Sequence, residues 1–135
     1  MNEVLVDTDI LSYYLNGDKK IIAKFAEYLS NYEFLNLSII TYYEIVSGLI
    51  FKNATVKLKR FEEFIQDCKI YPVTKKSAKI SSEIYSELRK SGKPLDDIDL
   101  LIAGIAIEND LILATNNEKH FGKIKQIKIE NWIKI

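Results

Sequence analysis

The segment Val4–Val6, followed at once by Asp7 and Asp9, constrains this chain more than any other. A short apolar run with β-branched residues is typical of a buried strand. In α/β folds, ligands and reactive groups collect at the carboxyl ends of the central strands. An aspartate at such a point either caps the next helix or binds a hard cation. Other segments of the sequence are needed to distinguish these two roles.

Short apolar segments alternate with amphipathic ones along the whole sequence. We predict strands over residues 3–6, 34–38, 69–73, 111–115 and 126–130, and helices over 18–30, 39–51, 54–67, 75–91 and 97–110. Strands that alternate with helices pair in parallel and carry helices on both faces of the sheet. The sequence therefore predicts a three-layer α/β/α sandwich with a central, mostly parallel sheet, folded as one domain over residues 1–135.

The composition excludes several classes of protein. Hydrophobic residues make up 47% and charged residues 28% of the chain, as in globular rather than disordered proteins. Cys68 is the only cysteine, which rules out an intramolecular disulfide and favours a reducing, cytoplasmic setting. No apolar stretch approaches the roughly 20 residues that a membrane helix requires. We expect a cytoplasmic protein that does not bind membranes.

The charge is balanced, with 19 basic and 19 acidic residues. Most nucleic-acid-binding proteins have a basic surplus, so the net charge argues mildly against such a role. Local basic clusters are nevertheless present, at Lys52, Lys57, Lys59 and Arg60, and at Lys75, Lys76 and Lys79. The simpler interpretation of both clusters is a solvated helix face.

Polar side chains occur at four places where predicted strands end or predicted helices begin. They are Asp7 and Asp9, then Glu44, then Asp99, and finally Asn116 with Asn117. Each place has a structural alternative. Asp7 or Asp9 could cap a helix, and Asp99 could complement the dipole of a helix that Asp96 caps. Thr41-x-x-Glu44 and Thr115-x-x-Glu118 both match a capping box. Capping, however, does not require three carboxylates at one pole of a sheet, so the set together favours a metal site.

The same residues carry a family resemblance that extends over essentially all 135 positions. The chain resembles PIN-domain ribonucleases, and most closely the VapC toxins of prokaryotic toxin–antitoxin pairs. The segments that match are Leu5–Leu11, Ser38–Gly48, Gly92–Leu95, Asp99–Gly104, Ala114–Phe121 and Ile129–Trp132. The resemblance implies metal-binding acids at Asp7, Glu44 and Asp99 and a fourth polar ligand at Asn117, where the family often has Asp. Asp9 lies at a place that is frequently Asn, and Asp96 and Asp97 are additional charges outside the pattern.

Such a cluster has a clear chemical use. Mg²⁺ or Mn²⁺ binds oxygen ligands and keeps several waters, and its charge offsets the repulsion that raises carboxylate pKa values. A bound ion can lower the pKa of a water that attacks a phosphodiester in line. No covalent nucleophile is evident, because Cys68 precedes a predicted strand and His120 has no evident partner. We interpret His120 as a surface residue near the site rather than as a general base.

The resemblance also implies RNA as the substrate, a cognate antitoxin that blocks the site, and a homodimer. The eight Tyr, six Phe and Trp132 give partial support for a dimer, because they exceed what a small core needs. Three alternatives stay open. They are a PIN nuclease of RNA processing that is not a toxin, a phosphatase of the haloacid-dehalogenase type, whose aspartyl motif the first segment also resembles, and a non-enzymatic binding module.

Overall fold

Strands and helices alternate in the computed structural model, which describes residues 2–134. The strands are β1 (Val4–Val6), β2 (Leu35–Ser38), β3 (Cys68–Tyr71), β4 (Ile112–Ala114) and β5 (Ile129–Glu130). The helices are α1 (Thr8–Leu15), α2 (Lys19–Leu29), α3 (Ile39–Phe51), α4 (Thr55–Ile65), α5 (Lys75–Lys90), α6 (Asp97–Glu108) and α7 (Glu118–Phe121). All five predicted strands and all five predicted helices are confirmed, with ends that shift by a few residues.

The strands form one sheet in the order β3-β2-β1-β4-β5, and every pairing is parallel. The chain builds β1, β2 and β3 outward in one direction and then returns to place β4 on the other side of β1. The order therefore reverses between β1 and β4, which is where parallel α/β sheets bind their ligands. Asp7 follows β1 directly at this point.

Helices cover both faces of the sheet, which confirms the three-layer sandwich. Leu5 packs into a core with residues of α5 and α6. Val4 and Val6 point to the opposite face and pack with residues of α1, α2 and α4. This alternation follows from the two-residue side-chain period of a strand that is buried on both sides.

The α5–α6 contact fixes the helix that carries Asp99. A Cβ atom at Gly104 would lie 2.1 Å from the Ser81 hydroxyl oxygen and 2.5 Å from the Ser77 carbonyl oxygen, so only glycine allows this approach. The Ser81 hydroxyl also donates a hydrogen bond of 2.7 Å to the Leu100 carbonyl. The first turn of α6 is thereby attached to α5.

The structure differs from the sequence prediction in three local features. Helices α1 and α7 were not predicted, and Cys68 is the first residue of β3 rather than a residue before it. Trp132 is almost fully buried against Phe25 and Tyr28, so this aromatic belongs to the core and does not support a dimer surface. Among residues 2–134, no helix is both long and apolar enough to cross a membrane.

Candidate active site

Three neighbouring strands direct polar side chains to one edge of the sheet. Asp7 follows β1, Ser38 ends β2, and Thr115 follows β4. All three residues are buried. Because the strands are parallel, their carboxyl ends lie at the same edge, and the side chains that follow them share one environment.

Asp7 is the most enclosed acid of this edge, with 6% of its surface exposed. Its Oδ1 atom accepts a hydrogen bond of 2.8 Å from the Thr8 backbone N–H at the start of α1. Its Oδ2 atom accepts one of 2.7 Å from the Thr115 hydroxyl. Asp7 is thus a helix cap and a candidate ligand at once, and the two roles that the sequence offered are not exclusive.

Asp9 belongs to the same cluster. Its carboxylate accepts hydrogen bonds from the backbone N–H groups of Ile10 at 2.7 Å and Asn116 at 3.0 Å. The Asn116 side-chain oxygen in turn accepts a bond of 2.9 Å from the Asn131 amide. Asp9 therefore connects the start of α1 to the segment after β4.

Burial and like charge change the protonation of these acids. Burial, which has the largest effect, and the charges of Asp9 and Asp99 together raise the pKa of Asp7 to about 7, against the opposing hydrogen bonds from Thr115 and Thr8. Burial also raises the pKa of Asp9. The hydrogen-bond donors of the site therefore do not compensate the desolvation of its carboxylates.

Glu44 lies in α3, and its Oε1 atom accepts a hydrogen bond of 2.6 Å from the Thr8 hydroxyl. The capping box considered for Thr41 and Glu44 does not form. Ser38 caps α3 instead, since its hydroxyl oxygen accepts a bond of 3.0 Å from the Thr41 N–H. Glu44 is therefore free of a capping role.

Asp99 and Asn117 meet at His120. The His120 Nδ1 atom lies 3.0 Å from Asp99 Oδ2 and 3.0 Å from Asn117 Nδ2. This nitrogen carries one hydrogen at most, so it donates to Asp99 when protonated and accepts from Asn117 when it is not. The expectation that His120 has no partner was wrong, because its partners lie in α6 and in the turn before α7.

The remaining candidates lie at the margin. Asp96 and Asp97 are exposed, and the N-cap residue Asp96 makes no side-chain capping bond. Glu118 forms no capping box with Thr115, and its carboxylate pairs with Lys134 at 2.5 Å. Sequence analysis missed Thr8 and Thr115 as contact residues of the acids. Their signal is position, since each is a hydroxyl residue just after a strand of the site.

The donor chemistry fits a hard divalent cation. Carboxylate oxygens are available from Asp7, Asp9, Asp99 and Glu44. The charge of Asp99 is one of the causes that raise the pKa of Asp7. Within residues 2–134, no three acidic, histidine or cysteine side chains already form a closed metal-binding group. Mg²⁺ does not need one, because it commonly takes one or two carboxylates and keeps several waters.

Comparisons with known proteins agree with this geometry. The family model "PIN domain" matches residues 4–127. Ribonuclease VapC19 of Mycobacterium tuberculosis is 31% identical over 87% of this chain and 90% of its own length. Ribonuclease VapC1 of Haemophilus influenzae is 27% identical over 96% and 98%. A chain in the crystal structure of DNA-bound VapBC from Salmonella typhimurium superposes with a TM-score of 0.87 at 28% identity, covering 98% of this chain and 99% of that one.

The raised pKa of Asp7 predicts how the stability of the metal-free protein depends on pH. The folded pKa of about 7 exceeds the unfolded value of 3.8, so the folded state binds more protons between these values. The contribution to stability is fully present below pH 4 and is lost as pH rises through 7. Since one pKa unit is worth about 1.4 kcal/mol, we expect the free energy of unfolding to fall by a few kcal/mol.

Urea unfolding at pH 5 and pH 8 measures this fall, and the same titration with saturating Mn²⁺ should largely abolish it. The Asp7→Asn variant is the control, since it should lose the component that comes from Asp7. A metal-free protein that is equally stable at both pH values would contradict the prediction.

Proposed function

Because the chain belongs to the PIN-domain family, and to the VapC ribonucleases within it, we propose that residues 1–135 form one nuclease domain that hydrolyses RNA as the toxin of a toxin–antitoxin pair. One observation carries the proposal. The buried Asp7, whose pKa is raised, lies beside further acids at the point between β1 and β4 where the strand order of the parallel sheet reverses. Such perturbed acids are typical of functional sites.

The proposed cofactor is Mg²⁺ or Mn²⁺, held by Asp7, Glu44 and Asp99, with Asn117 as a fourth polar ligand. When bound, the ion would supply a water of lowered pKa and would stabilise negative charge on the phosphate oxygens. The chain's own residues prepare the site. Thr8 and Thr115 orient carboxylates by hydrogen bonds, and His120 holds Asp99 beside Asn117.

Covalent catalysis by the cysteine does not fit this site. Burial raises the pKa of the Cys68 thiol to about 11, which suppresses the reactive thiolate. Cys68 also begins β3, so it lies at the amino end of the sheet, opposite the acids. Membership in the PIN-domain family leaves the phosphatase alternative without support. The cytoplasmic setting inferred from this single cysteine stays a prediction.

The decisive experiment replaces Asp7 and Asp99 with Asn, one at a time. Each variant should lose at least about 100-fold in Mn²⁺-dependent RNA cleavage, because a neutral amide holds a cation less well than a carboxylate. Circular dichroism should show an unchanged fold. Asp67→Asn is the matched control, an exposed acid at the far end of the sheet that should leave cleavage unchanged. Cleavage at the normal rate in either active-site variant would exclude these ligands, and metal-independent RNA binding alone would favour the binding module.

We propose the groove beside Glu44 as the antitoxin-binding surface. It runs between α1 and α2 on one side and α3 and α4 on the other, and encloses about 730 Å³. Thr8 and Glu44 line it together with apolar side chains that include Tyr14, Leu15, Ile22, Leu49 and Phe64. Lys52, Lys57 and Arg60 also line it, and the described part of the chain gives none of them an ion pair.

An apolar groove with unpaired cations fits an amphipathic segment that carries acidic residues. The Salmonella typhimurium neighbour is a VapBC structure, which supports a protein partner for this chain. We also propose that Lys52, Lys57 and Lys93 contact the RNA phosphates, because the acidic site itself repels them. Partner and substrate would then compete for the surface around Lys52 and Lys57.

Charge reversal tests the groove. Arg60→Glu should weaken the complex with the proposed antitoxin by about tenfold or more, because it replaces attraction with repulsion. Lys75→Glu, on the exposed face of α5, is the matched control and should have no effect. Fluorescence titration measures both affinities. Equal affinity for the two variants would place the partner elsewhere.

We further propose that α3 forms the homodimer contact. Ile39, Tyr43 and Ile50 share one side of this helix, at helical spacing, and Tyr43 and Ile50 are 61% and 58% exposed. A second copy of the chain would bury this apolar stripe.

Light scattering on the purified chain tests the dimer. The wild type should have the mass of two copies, and Ile50→Glu should shift it towards one, since a buried unpaired charge opposes association. Val73→Glu, at an exposed apolar residue outside α3, should remain dimeric. A wild-type monomer at micromolar concentration would contradict the proposal.

A further inference from the structure

A line of hydroxyl groups runs from the end of β2 to Glu44. The Ser38 hydroxyl lies 3.2 Å from the Thr41 hydroxyl, which lies 3.0 Å from the Thr8 hydroxyl. Thr8 then contacts Glu44 Oε1 at 2.6 Å. Ser38 and Thr41 are fully buried. The hydroxyl groups of three residues from two chain segments thus form a line of hydrogen bonds that ends at the Glu44 carboxylate.

The hydrogen bonds in this line run in one direction while Glu44 is ionised. A carboxylate only accepts, so the single hydrogen of the Thr8 hydroxyl points to Glu44. The Thr41 hydrogen is then available for the Thr8 oxygen, and the Ser38 hydrogen for the Thr41 oxygen. The Ser38 oxygen accepts the Thr41 backbone N–H at 3.0 Å, which anchors the line at its start. Each bond polarises the next, and 2.6 Å is the length expected for a hydroxyl on a charged carboxylate.

Thr8 touches two of the proposed metal ligands. Its backbone N–H donates to Asp7 Oδ1 at 2.8 Å, while its hydroxyl donates to Glu44. Asp7 and Glu44 come from different elements, the end of β1 and the middle of α3. Thr8 is therefore the direct link between them, and the buried hydroxyls of Thr41 and Ser38 restrict how its own hydroxyl can turn.

We propose that Thr8 is a positioning residue that sets the placement of the Glu44 carboxylate relative to Asp7, with Thr41 and Ser38 as its support. This inference rests on the proposed metal-dependent nuclease. Without the Thr8 hydroxyl, the Glu44 side chain loses this hydrogen bond and is free to take other rotamers in the groove. The Glu44 side chain then becomes ordered only when the metal ion binds, and the cost of this ordering lowers the affinity for the ion.

Thr8→Val tests this role, because valine keeps the shape and the backbone N–H but removes the hydroxyl. Isothermal titration of the purified full chain with Mn²⁺ alone should give a dissociation constant about 10-fold higher than that of the wild type, the usual loss when a hydrogen-bond partner of a metal ligand is removed. Thr8→Ser restores the hydroxyl and should return the affinity to within about 2-fold.

Thr55→Val is the matched control. Thr55 is the first residue of α4, as Thr8 is of α1, and its exposed side chain makes no hydrogen bond with any other part of residues 2–134. It should bind Mn²⁺ like the wild type. An equal loss in Thr55→Val and Thr8→Val would mean that the effect comes from the helix start, and it would overturn the proposal.

Two further variants keep the result decisive. If Thr8→Val does not fold, Thr41→Val takes its place, with a smaller loss in the same direction expected; unchanged affinity there overturns the proposal. Asp7→Asn separates the two levels of inference. Normal Mn²⁺ affinity in Thr8→Val, with affinity lost in Asp7→Asn, rejects the positioning role alone, whereas normal affinity in Asp7→Asn rejects the metal site itself.

Discussion

The burial of Asp7 at the end of β1 is the constraint on which the rest of this structure depends. A carboxylate loses hydration when it is enclosed, and here a second acid, Asp9, lies beside it. Two hydrogen bonds, from Thr8 and Thr115, stabilise the charged form, yet the pKa still rises to about 7. The buried Asp7 carboxylate therefore lowers the stability of the fold near neutral pH. Functional sites often reduce stability in this way.

The hydrogen bonds that orient the acids also stabilise the fold between β1 and β4, where the strand order reverses. The contacts from Thr115 to Asp7 and from Asn116 to Asp9 join residues more than 100 positions apart. They connect the first strand to the segment after β4, where the order of the sheet reverses. Packing of α6 on α5 at Gly104 then fixes Asp99 from the other face. The site is consequently a product of the tertiary structure rather than of one motif.

The regular elements could be predicted because their signals are local. Strand Val4–Val6 and the apolar faces of α5 and α6 follow from hydrophobic spacing alone. Helix α1 was missed because Asp7, Thr8 and Asp9 read as the end of a strand, whereas Asp7 also caps the helix. The contacts of Thr8 with Glu44 and of His120 with Asp99 span 36 and 21 residues. No local spacing encodes such contacts, so the acids could be named from the sequence but not their supports.

Uncharged hydrogen-bond donors orient the acids of this site and still leave their oxygen atoms available to a cation. Backbone N–H groups and hydroxyls orient Asp7, Asp9 and Glu44 without cancelling their charge. A lysine or arginine in the same place would form an ion pair, lower the pKa values and compete with the metal. Within residues 2–134, the one ion pair made by Asp7, Asp9, Glu44 or Asp99 is that of Asp99 with His120, which is charged only when protonated. Lys52, Lys57 and Arg60 line the groove that Glu44 also lines, but within residues 2–134 none of them forms an ion pair, so they stay available to a phosphate or an acidic partner.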